Sequence, residues 1–164
     1  MSKPDFIPKA DWALVLKYAN NFENEPYLIA AIGWHETHWG RLGAGRIGFI
    51  LGYGYFPGST VKEKYKGLTN QLKGANSMLV DHLKLPITLI NVTNFAVNHW
   101  KSSAPRSWAR SVYSIYSNLQ KGIIPIHTET EIKDQTEILG KLEYHIKFLE
   151  SLLNKLKEIF GNEQ

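Results

Sequence analysis

The residues best suited to proton or metal chemistry gather in one stretch, YLIAAIGWHETHWG at residues 27–40, which holds His35, Glu36 and His38. Two chemistries are open to them. A carboxyl in apolar surroundings can serve as a general acid. Two histidines beside a glutamate can also hold zinc, but H-E-x-x-H needs its second His where Trp39 stands. His35 and His38, three residues apart, share a helical face with no third ligand signalled, so neither a metal nor another cofactor is expected. The absence of cysteine removes thiol chemistry and disulfides.

The element that must position Glu36 reads as a helix. Asn24 can cap it, Glu25 suits its positive end, and Pro26 is tolerated in a first turn. Leu28, Ile29 and Ile32 form a buried stripe, and Gly40 supplies the stop. Glu36 then falls in the last turn, between Trp34 and Trp39. The negative helix end and the apolar neighbours both disfavour a charged carboxylate there.

AAIGWHETHWG resembles the A-x-A-x-x-x-E-T/S-x-W-G helix end of the lysozyme superfamily. It is most similar to the bacterial and phage endo-β-N-acetylglucosaminidase branch and to lytic transglycosylases. YKGLTNQLKGANSML (65–79) and FAVNHWKSS…SWARSVYSIY (95–116) resemble later parts of the same domain. The resemblance covers residues 10–120. It implies a mainly α, lysozyme-like domain that cuts the β-1,4-linked amino-sugar strands of peptidoglycan, with Glu36 as the acid. In such domains a small lobe faces the acid across a cleft. RLGAGRIGFILGYGYFPGST (41–60), rich in glycine and tyrosine, takes that place and predicts turns and short extended pieces. GAGRIG matches G-x-G-x-x-G in letters, but it follows a helix and not a strand, so a nucleotide site is set aside.

The resemblance also implies a second catalytic group. Glu63 is the first candidate, with Asp81 behind it. The tyrosine that usually precedes A-x-x-V is replaced by Trp108, leaving Tyr113, Tyr116 or a small-lobe tyrosine as substitutes. With no second carboxylate, the transglycosylase route uses Glu36 alone, and Asn98 matches one asparagine of that branch. Trp39, Tyr53, Tyr55, Phe56, Asn98 and Trp108 are the candidate sugar-contacting residues. The rival class is a catalytically inactive phage structural or wall-binding module.

Further helices are expected at 8–21 (Trp12, Val15, Leu16, Ala19 inward), 61–85 (Leu68, Leu72, Ala75, Leu79), 88–100 (Ile90, Phe95, Val97) and 107–120 (Trp108, Val112, Ile115, Leu119). Residues 1–121 form the domain and 122–127 a hinge. In 128–164, Thr128 and Glu131 read as a capping box, and Ile132, Leu139, Leu142, Ile146, Leu149, Leu153, Leu156 and Phe160 keep heptad spacing. A flanking row of Ile138, Leu152 and Ile159 widens the face, so residues 129–160 predict a coiled-coil homo-oligomer, a trimer above others, with packing onto the chain's own domain as the alternative.

Residues 1–127 carry 14 Lys+Arg against 7 Asp+Glu, about +7, and residues 128–164 carry 5 against 8, about −3. A basic domain suits a polyanionic wall, while the scattered basic residues speak against nucleic acid. No apolar run is long enough to span a membrane, and MSKPDFIPK lacks a secretory h-region. The resemblance therefore implies a virion-associated enzyme, with phage tail proteins as partners, or one released from the host cell to reach the wall.

Overall fold

The computed structural model describes residues 1–55 and 63–123. The chain divides into two units, Met1–Pro125 and Ile126–Gln164. Phe56 and the predicted coiled coil of residues 129–160 lie outside the described residues.

Among the described residues the protein is mainly helical and contains no strand. Five α-helices occur in order: α1 (Lys9–Asn21), α2 (Pro26–Thr37), α3 (Leu68–His82), α4 (Leu89–Phe95) and α5 (Pro105–Gln120). Short 3-10 turns lie at Gly43–Ile47 and Glu63–Tyr65, and a π turn, Ala96–Trp100, continues α4. None of these helices is long and apolar enough to cross a membrane.

The organising element is α2. Every residue from Pro26 to Trp34 is buried, which makes it a central helix and not one with a single apolar stripe. It packs against α1, α3 and α5. Asn24 does not cap it: the Asn24 amide donates instead to the Asn76 carbonyl (3.0 Å) and side chain (2.9 Å), tying α2's entry to α3. The helix also stops before Gly40. His38 turns left-handed at φ 47°, and the His38 and Trp39 N–H groups close back on Trp34 and Gly33 carbonyls.

In α5, Trp108, Val112, Ile115 and Leu119 face the core as their spacing predicts. In α4 the inward face is rotated. Val92, Phe95 and Ala96 are buried, whereas Ile90 is 72% exposed and Val97 49% exposed. TLINVTNFAV offers apolar residues on several faces, and packing against α5 selects one of them. Thr88 caps this helix by accepting from the Asn91 N–H at 3.2 Å. α3 begins at Leu68, directly after Gly67 at φ 87°, and ends at His82, ahead of Pro86.

Candidate active site

Each residue of the ETHWG segment has a separate physical task. The Thr37 hydroxyl donates to the Ile50 carbonyl at 2.6 Å and accepts from the Gly40 N–H at 2.9 Å. It thereby ties the glycine-rich loop to the end of α2. Gly45 packs against this corner so tightly that a Cβ would stand 2.6 Å from the Thr37 Cβ. Trp39 turns away from Glu36. It is 6% exposed, its ring folds over Gly33, and its indole N–H donates to Asp11 Oδ2 at 3.0 Å. Trp39 is therefore a core clamp between α1 and α2 and lies outside the cleft lining. A tryptophan beside an acid has the same sequence signature whichever way it points.

Glu36 is half-buried at the base of a cleft of about 780 Å³, a size suited to a small-molecule or oligomer segment. Its Oε1 accepts from the Trp100 indole at 2.9 Å and from the Trp108 indole at 2.6 Å. The two rings lie 5.5 Å apart, with Phe95 packed against both. An indole N–H can only donate. Oε1 is thus held as an acceptor in either protonation state, and a proton on Glu36 resides on Oε2. That atom faces Gly52, where a Cβ would come within 2.7 Å of it.

Trp100 is the residue that the sequence reading misses. It reaches Glu36 because the chain leaves α-helical spacing at Ala96–Trp100, where the Lys101 N–H bonds five residues back to the Ala96 carbonyl at 3.1 Å. The available signal was an amphipathic ring just before the KSS run, and nothing in helical periodicity links it to residue 36. Lys101 follows at φ 57° and lines the cleft with Ser102 and Ser103.

The opposite wall is held by Gln71, which is fully buried. Its Oε1 accepts from the Leu51 (3.2 Å) and Tyr53 (3.0 Å) N–H groups, and its Nε2 donates to the Tyr53 and Tyr65 carbonyls, each at 2.7 Å. One side chain thus satisfies four backbone groups that regular structure leaves unpaired. It sets Tyr53 and Tyr65 edge to face, 5.0 Å apart. Burial raises the Tyr53 hydroxyl above its ordinary value, and Tyr65 beside it adds to the shift.

Tyr53, Tyr55 and Trp108 therefore line the same cleft as Glu36. Glu63 does not: it lies on the surface, paired with Lys66 at 3.5 Å. Asp81 is exposed and accepts from Ser77. Asn98 is exposed, and its amide bonds back to the Asn94 carbonyl at 2.9 Å. Among the described residues, Glu36 is the one carboxylate lining the cleft. The two flanking histidines diverge. His35 Nδ1 lies 2.9 Å from Ser111 Oγ, while His38 packs on Trp34 at 5.0 Å. No group of three metal-ligating side chains forms among the described residues.

Such a cleft can deliver one proton, from Oε2, to a ligand lying across aromatic faces. Comparison with protein-family models, curated proteins and solved structures finds no match to this chain.

Proposed function

We propose that this protein cleaves the β-1,4-linked amino-sugar strands of peptidoglycan in a lysozyme-like cleft, with Glu36 as general acid. The observation that carries the reading is the carboxyl of Glu36, anchored through Oε1 by two indole N–H groups with Oε2 against Gly52, in the lining of an aromatic cleft. Sugars present apolar ring faces edged by hydroxyls. Tyr53, Tyr55, Tyr65 and Trp100 supply matching aromatic faces. Glu36 Oε2 protonates the glycosidic oxygen as the bond breaks.

Two-carboxylate hydrolysis requires a partner at about 5–9.5 Å from the acid. Among the described residues no second carboxylate lines the cleft. That favours the lytic transglycosylase variant, in which the substrate's own hydroxyl attacks the anomeric carbon and Glu36 acts first as acid and then as base. Phage carriage, or release toward the wall, belongs to the same proposal. So does trimerisation through residues 129–160, which would multiply weak contacts with a repeating target.

The test is wall clearing by Glu36→Gln. Glutamine keeps an Oε1 acceptor for both indoles, so the fold should persist. The donor proton is lost, and clearing should fall about 10²–10⁴-fold. A folded glutamine variant that clears walls at the normal rate would overturn the site. Mass spectrometry of the products separates the two routes, because transglycosylation leaves 1,6-anhydro ends.

A further inference from the structure

A second hollow, of about 680 Å³, shares the Tyr53–Tyr65 ring pair with the Glu36 cleft. Tyr18 of α1 and Phe22, just after its end, give it aromatic faces. Lys64 and Lys73 give it two positive charges, and among the described residues no carboxylate lines it. The Lys64 ammonium stands 4.9 Å from the centroid of the Tyr65 ring, at the wall that both hollows share. That wall is fixed from behind. Gly74 leaves room for the Tyr53 ring against α3, where any Cβ would collide with it, and Gln71 holds the backbone of both tyrosines.

The combination of aromatic faces and two cations complements a ligand that pairs apolar groups with negative charge. An ammonium is a point charge and takes carboxylate or phosphate alike. Tyr18 and Phe22 decide between them, because a peptide carries apolar side chains beside its carboxylates and a polyol phosphate does not. The two hollows meet at the Tyr53–Tyr65 wall, so a peptide on a strand lying in the cleft has only that wall to cross.

We propose that this hollow binds a carboxylate-bearing peptide carried by the same glycan strand whose sugars occupy the Glu36 cleft. The proposal rests on the glycan reading of that cleft. The protein would then distinguish peptide-bearing strands from bare ones through Lys64 and Lys73, away from the reacting atoms.

The experiment uses the full chain carrying Glu36→Gln, so that ligands are bound and not turned over. Five probes are titrated by calorimetry and NMR: a neutral N-acetylglucosamine oligomer, a disaccharide bearing an acidic tetrapeptide, the same compound with its carboxylates amidated, the acidic tetrapeptide alone, and poly(glycerol phosphate). The acidic compound should bind roughly tenfold more tightly than the amidated one, the size expected of two exposed ion pairs. The difference should vanish when Lys64→Gln and Lys73→Gln are added. Equal affinities, or a difference that survives both substitutions, would overturn the proposal. Poly(glycerol phosphate) shifting the Lys73 and Ser77 amides while the acidic tetrapeptide alone leaves them still would overturn it in favour of a phosphate polymer. The Trp100 and Trp108 indole signals keep the two readings apart. If the neutral oligomer leaves them unmoved, the glycan reading of the cleft falls, and the tethered peptide with it. If they move and the groove amides stay silent with the acidic compound, the groove proposal alone falls.

Discussion

Trp100 and Trp108 place both indole N–H groups on one atom, Glu36 Oε1, at 2.9 and 2.6 Å. The partners are 64 and 72 positions away from Glu36 in the chain. The pair leaves the carboxyl a single direction in which to offer a proton, toward Gly52 and the open cleft.

Removing one donor should therefore loosen the acid without emptying the cleft. Trp100→Phe keeps a ring and loses one hydrogen bond, worth about 0.5–1.5 kcal/mol. If that bond holds Glu36 in its reactive pose, kcat should fall roughly two- to tenfold with little change in KM. Steady-state kinetics on a soluble glycan fragment checks this. A change confined to KM would mean that Trp100 contacts sugar and does not position the acid.

Gly52→Ala attacks the same geometry from the other side. The new methyl would sit 2.7 Å from Glu36 Oε2, on a residue held at φ 68°. The left-handed backbone alone should cost about 1–2 kcal/mol. The methyl should also displace the carboxyl, so activity should drop by more than that stability loss explains. Thermal melting and clearing assays on one preparation separate the two effects.

Gln71→Leu should be among the most damaging substitutions of a residue outside the reacting centre. It strips partners from the Leu51 and Tyr53 N–H groups and from the Tyr53 and Tyr65 carbonyls. At about 1–3 kcal/mol for each group left buried and unpaired, a loss of roughly 3 kcal/mol or more is expected. Urea denaturation gives the magnitude. Hydrogen exchange should show the loop around Leu51–Tyr53 opening first.

Two tyrosines should ionise late. Burial raises both Tyr53 and Tyr116 above their ordinary value, with charge from Tyr65 adding at the first and charge from Glu25 at the second. For an acid whose folded value is raised, the folded state holds the proton longer. The stabilisation is complete below the unfolded value near 10 and is lost as pH climbs through the folded value. Absorbance titration at alkaline pH should show a late component that shrinks in Tyr53→Phe and again in Tyr116→Phe. A late component of undiminished size in both variants would contradict these environments.

The acid helix was legible because its signals are local. Apolar residues in series, a proline in the first turn and ETHWG at the end are all read within one element. The partners of Glu36 were not legible, since spacing along a chain carries no distance across a fold. Glu63 was a plausible second carboxylate by chain position, yet it sits at the surface with Lys66. Ile90 and Val97 were placed inward because TLINVTNFAV supports several faces, and only packing on α5 selects Val92, Phe95 and Ala96. Gln71 lies within the YKGLTNQLKGANSML run, but its four hydrogen bonds depend on a loop whose path periodicity does not describe.

The π turn at Ala96–Trp100 makes this site sensitive to chain length as well as to side chains. Each residue of a helix turns its successors by about 100°. Removing a single residue from that turn would let α4 run on as an ordinary helix and carry the Trp100 ring off Glu36, with every named side chain still encoded. A protein could thus lose its acid clamp through one codon's deletion and regain it by reinsertion, which makes this turn the place to look when a chain keeps the acid and lacks its chemistry.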